Sequence, residues 1–278
     1  MSSSRGREFE RGLSYRSPMT PLPLLRIEID GRPADAESLL HPATTAYGHF
    51  TAMQVRGGAT RGLALHLERL RASTAELWER ELDGERVREL IRHAIGDEYP
   101  DASVRVYVHC PDDTPTVMVT VRGPQQMAGT AQALQSVTYR RPAAHIKHLG
   151  GFGQAYYGQR ARAAGFDDAL LVEDAGTVLE GAVTNIGFLD DTGVVWPAGP
   201  SLAGITMQLL EPRLDAAGLP SRRDRVTLGG LGAYRAAFVT NSQGIAPVSR
   251  IDDTDFAVDE KLMERLGEIY AEVPWDAV

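Results

Sequence analysis

Lysine is rare in this chain: only Lys147 and Lys261 occur among its 29 basic residues. Arginine keeps its proton at physiological pH, whereas a lysine of lowered pKa can lose its proton and form an imine. Lys261 lies among acidic and basic residues typical of the polar face of a C-terminal helix. Lys147 lies in an apolar, Gly-rich stretch, residues 143–151, with no acidic partner nearby. This setting favours a Schiff-base role for Lys147. The alternative is a general bias towards Arg that left one lysine by chance.

A carboxylate and two possible anion sites follow Lys147 along the chain. Glu180 stands in an apolar, strand-like segment, where a buried acid requires a cationic partner; an edge-strand Glu facing water is the alternative. Gly204 and Thr206 come at the start of a predicted helix, whose free N–H groups and dipole attract anions. Residues 240–244 follow a predicted strand and offer three donor side chains. A helix cap and an ordinary turn would explain these last two segments equally well.

Two arginines could contact anions. Arg69 lies beside the apolar stripe of a predicted helix, from which it reaches either an anion or solvent. Arg105 shares one face of a predicted strand with Tyr107 and His109, because alternate strand residues point the same way. It could bind a substrate carboxylate there or be solvated.

The histidines allow a metal site to be considered. His145 and His148 form a His-x-x-His pattern, and His109 and Cys110 are further possible ligands. A structural zinc requires four ligands, usually closely spaced, and only two are close in this sequence. We therefore predict no metal site.

Composition restricts the class of protein. The net charge of −8 and the pI near 5.4 argue against nucleic acid as a partner. No apolar run approaches the roughly 20 residues needed to span a bilayer. A single cysteine excludes an internal disulfide and fits a reducing cytoplasm. Residues 1–20 lack an apolar core and are predicted to be a flexible leader rather than a signal peptide. We expect a soluble cytoplasmic protein.

Hydrophobic periodicity predicts an α+β fold in two domains. The predicted divisions are a leader (1–24), an N-terminal domain (25–135), an interdomain segment (136–146) and a C-terminal domain (147–278). The first domain has predicted strands at 25–32, 50–56, 104–109 and 116–122, and helices at 63–78 and 87–95. The second has predicted helices at 154–164 and 205–217, strands at 169–172, 177–180, 185–189, 194–196 and 236–240, and a terminal helix.

The order and spacing of these segments resemble a known family. The most similar stretch covers residues 165–171 and 176–186, and its second part contains the pattern Glu180-x-x-x-x-Asn185. Residues 202–206 and 244–248 follow at distances typical of the family. From about residue 25 to residue 251 the chain resembles the fold-type IV (class IV) pyridoxal-phosphate-dependent aminotransferases. That family includes branched-chain and D-amino-acid aminotransferases and aminodeoxychorismate lyase.

The resemblance implies a cofactor, pyridoxal 5'-phosphate, bound between two α+β domains, usually in a homodimer. It implies that Lys147 forms the Schiff base and moves the proton at the substrate, while Glu180 pairs with the ring nitrogen. It also implies a set of phosphate-binding residues: Arg69, Ile205, Thr206, Asn241 and Ser242.

The substrate side departs from the family pattern. Many members carry Phe-Glu or Tyr-Glu in the first active-site strand, where this chain has Phe50 and Thr51. Phe50-Thr51 resembles the lyase branch, but the second Thr usual in the lyase is Ala52 here. We predict Phe50, Thr51 and Arg105 to be substrate residues.

The resemblance therefore implies an aminotransferase, which moves an amino group between an amino acid and a 2-oxo acid. The alternative is a lyase that releases pyruvate from a chorismate-derived amine. A third possibility, a non-enzymatic scaffold, does not explain why Lys147 and Glu180 occur together.

Overall fold

The computed structural model describes residues 23–278. The leader predicted for residues 1–24 therefore lies almost wholly outside the described residues. The described chain mixes helices with two large sheets, so the predicted α+β class is confirmed. None of the helices in residues 23–278 is both long and apolar enough to cross a membrane.

The first unit is a five-stranded antiparallel sheet that packs against two long helices. The elements of this unit are β1 (Leu24–Ile29), β2 (Arg32–Pro33), α1 (Leu40–Thr44), β3 (His49–Val55), β4 (Ala59–Arg61), α2 (Leu63–Trp78), α3 (Gly84–Ile95), β5 (Ala102–His109) and β6 (Thr116–Arg122). The sheet order is β2-β1-β6-β5-β3.

Local sequence explains helix α3 and strand β3. Asp83 begins α3 by accepting a hydrogen bond from the Glu85 N–H at 2.9 Å, and Gly96 follows its last turn. Strand β3 alternates between buried and half-buried residues, so Met53 and Val55 pack in the core beneath α2 and α3. The residues between them face the opposite side of the sheet.

The second unit is a nine-stranded mixed sheet with three helices. The elements are β7 (Gln132–Thr138), α4 (Phe152–Ala163), β8 (Asp168–Val172), β9 (Val178–Gly181), β10 (Asn185–Leu189), β11 (Val194–Pro197), α5 (Ile205–Leu214), β12 (Ser221–Asp224), β13 (Ala236–Asn241), β14 (Gly244–Ile251), β15 (Thr254–Asp255), α6 (Glu260–Ala271) and β16 (Trp275–Ala277). The strand order is β12-β11-β10-β13-β14-β7-β8-β9, and β15 pairs with β14.

The predicted boundary after residue 135 divides a strand. All of β7 belongs to the second sheet, where it runs parallel to both β14 and β8. The change from the first sheet to the second therefore lies between Arg122 and Gln132. The sequence of β7 is rich in Gln, Ser and Thr, and this weak apolar pattern hid the strand from sequence analysis.

Strand β14 was also missed, because a turn followed directly by the terminal helix was expected after residue 240. Its sequence contains Pro247, Ser249 and Arg250, which are unusual in a central strand. It nevertheless pairs with β13 on one side and β7 on the other.

The end of the chain returns to the first unit. We call residues 273–278 the C-terminal strap. Within it β16 pairs antiparallel with β4, and Val278 is buried in the core of the first unit. The guanidinium of Arg61 lies 4.6 Å from the ring centroid of Tyr270 and 4.4 Å from that of Trp275. The strap thereby joins α6 of the second unit to the first sheet.

Candidate active site

A cavity of about 880 Å³ lies between the two sheets. Strands β3 and β5 supply one wall, while β9, the end of β13 and the start of α5 supply the other. Almost all of the site residues predicted from sequence line it. They are Phe50, Arg69, Arg105, Lys147, Glu180, Ile205, Thr206, Asn241 and Ser242.

Lys147 reaches this cavity from the segment between β7 and α4. Its carbonyl accepts a hydrogen bond from the Phe50 N–H at 2.9 Å, which fixes the segment against β3. The Lys147 Nζ lies 4.8 Å from the centroid of the Phe50 ring. Burial, with repulsion from Arg69, Arg141 and Arg105, lowers the pKa of Lys147 to about 7. At neutral pH a large fraction of the amine is therefore uncharged and nucleophilic.

Glu180 forms a buried ion pair with Arg141, a partner that sequence analysis did not identify. Its Oε1 accepts a hydrogen bond from Arg141 Nη1 at 3.0 Å, and both residues are only 5% exposed. Its Oε2 accepts a hydrogen bond from the Leu202 N–H at 3.1 Å. Burial raises the pKa of Glu180, and the charge of Arg141 opposes that rise.

Arg141 also holds the segment that carries Lys147. Its guanidinium donates hydrogen bonds to the carbonyls of Ala144 and Ile146, at 3.0 Å and 2.8 Å. The sequence offered one signal for Arg141, because a buried carboxylate such as that of Glu180 requires a cationic partner. This requirement does not identify which arginine is the partner. The neighbouring Arg140 is exposed, and the sequence Arg-Arg-Pro does not distinguish the two.

The predicted anion-binding residues meet at the start of α5. The first N–H groups of α5, which include those of Ile205 and Thr206, have no partner inside the helix. The Thr206 hydroxyl donates to the Asn241 carbonyl at 2.7 Å, and the Asn241 Oδ1 accepts from the Gln243 N–H at 2.7 Å. The Thr206 hydroxyl and the Asn241 Oδ1 therefore brace the turn, while the backbone N–H groups at the start of α5 and the Asn241 Nδ2 group are available as donors.

Arg69 lies beside this helix start. It donates a hydrogen bond to the carbonyl of Ala203, one residue before Gly204, the N-cap of α5. Burial and repulsion from Arg141 lower its pKa to about 10, so it keeps its positive charge at neutral pH. Arg69 and α5 together form a site suited to an anion.

Thr51 does not line the cavity, contrary to expectation. It follows Phe50 in one strand, and consecutive strand residues point to opposite faces. The Thr51 side chain is fully buried, and its Oγ1 lies 2.6 Å from His66 Nδ1. Ala52, on the same strand face as Phe50, lines the cavity instead.

The other wall of the cavity combines an aromatic stack with a free cation. The rings of Phe50 and Tyr107 stack at a centroid distance of 5.4 Å and an angle of 19°. Arg105, two residues before Tyr107, pairs through the backbone with Ala52 and lines the cavity. No ion-pair partner for Arg105 occurs among the described residues.

The histidines considered for metal binding have separate partners. His145 Nε2 lies 2.8 Å from Glu76, and His148 Nε2 lies 2.9 Å from the Pro142 carbonyl. No group of three or more possible metal ligands occurs within residues 23–278.

The charge of the cavity contrasts with that of the whole chain. Five arginines and Lys147 line it, and Glu180 is the one carboxylate among the described lining residues. Gln154 Oε1 and Thr240 Oγ1 are buried at the lining without a hydrogen-bond partner in the described structure. An amine, a paired carboxylate and an anion site in one cavity suit a phosphorylated aldehyde that has a basic ring nitrogen.

The chain is similar to known proteins in sequence and in fold. Residues 48–251 match a family model described as amino-transferase class IV. A "probable branched-chain-amino-acid aminotransferase" of Rickettsia conorii is 32% identical over 122 residues, which is 41% of this chain and 41% of that protein. This match spans about two fifths of the relative's length.

Two solved structures show the same fold. One is a hypothetical aminotransferase from Mycobacterium tuberculosis in its PLP-bound form, with a TM-score of 0.77 and 20% identity over 89% of this chain and 98% of that one. The other, from Legionella pneumophila, is provisionally assigned as a 4-amino-4-deoxychorismate lyase. It has a TM-score of 0.74 and 19% identity over 82% of this chain and 92% of that one.

Proposed function

The chain belongs to the class IV aminotransferase family, and from that premise we propose that it is a pyridoxal-phosphate-dependent aminotransferase. It would move an amino group between an amino acid and a 2-oxo acid. One observation carries the proposal: Lys147, with its lowered pKa, lines the same cavity as the buried Glu180–Arg141 pair and the start of α5.

The residues of the cavity fit pyridoxal 5'-phosphate. Lys147 offers the amine for its aldehyde, and Glu180 offers a carboxylate for its ring nitrogen. The phosphate would be held by Arg69, by the N–H groups at Ile205 and Thr206, and by the turn at Asn241 and Ser242. When bound, this cofactor supplies an electron sink for the bond that breaks at the substrate Cα.

Lys147 is suited to move the proton at the substrate Cα. A base works best when its pKa lies near the operating pH, and that of Lys147 is about 7. Repulsion from three guanidinium groups favours the uncharged amine, which accepts a proton, while the nearby Glu180 carboxylate favours the ammonium that results.

Glu180 acts as a fixed negative charge. Arg141 and the Leu202 N–H each bind one carboxylate oxygen, so the group is oriented before any ligand arrives. A carboxylate oxygen has more than one lone pair, and a ring N–H can therefore be accepted without loss of these bonds.

Arg105 and the aromatic wall act on the substrate. We assign the substrate carboxylate to Arg105, because this guanidinium faces the cavity without an acidic partner. The Phe50 ring, stacked on Tyr107, lies 4.8 Å from Lys147 Nζ and would give the amine an apolar neighbour on this side.

Covalent labelling tests the proposal. The protein is reconstituted with pyridoxal phosphate, reduced with borohydride and mapped by peptide. We expect the label on Lys147 and none in the Lys147→Arg variant. A label on Lys261, or no label in the unaltered protein, would rule the proposal out.

The type of reaction is tested separately from the cofactor. We expect amino-group transfer from at least one of a panel of L- and D-amino acids to a 2-oxo acid. The lyase remains the alternative. Ala52 argues against it, because this cavity position lacks the hydroxyl of the Thr that is usual in the lyase. Release of pyruvate from aminodeoxychorismate, without amino transfer from any amino acid, would favour the lyase. In that case Ala52→Thr is expected to increase the elimination activity.

We also propose that the protein is a cytoplasmic homodimer. Two exposed apolar residues support a further interface: Phe152, which follows the lining residue Gly151, and Val183, which lines the cavity, are 81% and 66% exposed. The cytoplasmic location is supported by the single cysteine. Light scattering after size-exclusion chromatography would measure the assembly, and a monomer at micromolar concentration would contradict it.

A further inference from the structure

The segment that leads into α5 has no regular structure of its own. Residues 198–204 connect β11 to α5 without helix or strand, and α5 begins the anion site. The Ala198 N–H donates to the Asp224 carbonyl at 2.8 Å and fixes the start of the segment, but no side chain caps the helix at its other end. Side chains that contact the segment therefore contribute to its position.

Asn185 and Glu180 bind the two polar backbone groups of one residue in this segment. The Asn185 Nδ2 donates to the Leu202 carbonyl at 2.7 Å. The Leu202 N–H donates to Glu180 Oε2 at 3.1 Å. Asn185 is 7% exposed and is the first residue of β10, so it is fixed by the central sheet.

Gly204 packs directly against the Asn185 side chain. A Cβ added at Gly204 would overlap Asn185 Oδ1, and the nearest atoms that it would meet all belong to Asn185. The backbone of Gly204, at φ −63° and ψ 141°, is open to any residue. Close approach to Asn185, and not an unusual conformation, therefore accounts for glycine at the start of α5.

The same segment is tied to the remaining parts of the anion site. Arg69 donates to the carbonyl of Ala203, between Leu202 and Gly204. A displacement of Leu202 would therefore move the bonding partner of Arg69, the first N–H groups of α5 and a donor to Glu180 together.

We propose that Asn185 is a positioning residue that sets the distance between Glu180 and the phosphate-binding start of α5. The inference rests on the proposed function, since the ligand that spans the two sites is pyridoxal phosphate. It gives a physical reason for the spacing Glu180-x-x-x-x-Asn185: Glu180 on β9 binds the N–H of Leu202, and Asn185 at the start of the next strand, β10, binds its carbonyl.

The first test compares two ligands that differ only in the phosphate. Affinities of the apo protein for pyridoxal phosphate and for pyridoxal are measured in unaltered protein and in Asn185→Ala. We expect the preference for the phosphorylated ligand to fall about tenfold, because a lost hydrogen bond leaves the Leu202 carbonyl unpaired and the segment free to shift. A merely structural role would weaken both ligands by the same factor and leave the preference unchanged.

A control variant separates positioning from loss of stability. Thr74→Val removes a buried hydrogen bond to His49, and neither of these residues lines the cavity. It should lower the melting temperature without changing the preference between the two ligands. If Thr74→Val lowers the preference as much as Asn185→Ala does, the inference is wrong.

The second test is a double-mutant cycle. Gly204→Ala should reduce the affinity for pyridoxal phosphate strongly in the unaltered background, because the new methyl group overlaps Asn185. It should have little effect in the Asn185→Ala background, where that side chain is gone. Equal losses in both backgrounds would overturn the inference alone. If the unaltered protein fails to bind pyridoxal phosphate at all, the proposed function fails, and this inference fails with it.

Discussion

Lys147 combines a chemical requirement with an energetic penalty. Burial and three guanidinium groups bring its pKa to about 7 from the ordinary 10.5. The protonated side chain is thus repelled in the folded state, and the unfolded chain is free of that repulsion. A group arranged for reactivity in this way reduces the stability of the fold that holds it.

The first prediction concerns the stability of the apo protein. Lys147→Met should raise the free energy of unfolding at pH 7 by about 1–2 kcal/mol, since it removes a charge that the cavity disfavours. The gain should shrink between pH 7 and pH 10.5, because there the unfolded wild-type chain binds a proton that the folded chain has released, and wild-type stability therefore rises with pH. Urea titrations of both proteins across this range would measure the difference. A gain that grows with pH would show that the pKa of Lys147 is not lowered.

A second prediction concerns the fixed carboxylate. Glu180→Gln should leave pyridoxal phosphate bound but slow amino transfer about 100-fold or more, as expected on removal of a preoriented charge in a closed site. Glu180→Asp serves as the control that keeps the charge. Single-turnover rates and cofactor affinity are the measurements, and near-normal turnover in Glu180→Gln would remove Glu180 from the proposed role.

Some site residues could be predicted from the sequence and others could not. Lys147 stands out through its rarity and its apolar setting. Glu180 implies a buried cation, but many arginines are available, and only the fold brings Arg141 beside it. A contact between residues 39 positions apart depends on the pairing of strands, which local sequence does not determine.

At the scale of elements, the alternation of a strand decides which residues can act. Phe50 and Ala52 face the cavity, whereas Thr51 faces His66 beneath α2. Both Phe50 and Thr51 were predicted to contact the substrate, but only Phe50 lines the cavity, because consecutive strand residues point to opposite faces.

A third prediction follows from this alternation. Thr51→Val should lower the free energy of unfolding by about 1–3 kcal/mol, because His66 Nδ1 is left buried without its partner. It should leave the KM for the amino donor nearly unchanged. Ala52→Thr, its matched variant, should change that KM with a smaller loss of stability. A large change of KM in Thr51→Val would return this residue to the substrate site.

Two of the longer strands that sequence analysis missed share one physical property. Strands β7 and β14 are held by neighbours on both sides, so their stability comes from pairing more than from their own propensity. The helices α2 and α3, by contrast, carry clear apolar stripes and were predicted close to their observed bounds. Local periodicity therefore indicates amphipathic helices better than polar central strands.

At the scale of the whole molecule, the C-terminal strap joins the two units. The Asp276 Oδ2 accepts a hydrogen bond from the Leu63 N–H, the first of α2, at 3.0 Å. Gly62, which precedes α2, offers no side chain for that purpose. The strap thus supplies from the other end of the chain the helix cap that the local sequence lacks.

The fourth prediction tests this long-range cap. Asp276→Ala should lower the free energy of unfolding by about 1 kcal/mol, the usual effect of losing an N-terminal cap. Asp276→Asn keeps an acceptor oxygen and should lower it by less. Chemical denaturation of the three proteins would measure this. Equal losses for both variants would mean that charge, and not the hydrogen bond, provides the stabilisation.

The contrast between an acidic chain and an arginine-lined cavity has a kinetic consequence. The overall charge of −8 repels anions from most of the surface, while field lines from the five arginines converge at the opening. Encounter with a phosphorylated ligand is therefore steered towards the opening before any contact forms, and dissolved salt weakens this steering. The association rate of pyridoxal phosphate should fall as ionic strength rises, and that of uncharged ligands should hardly change. The charge distribution therefore favours anionic ligands through their association rate as well as through the contacts that they make once bound.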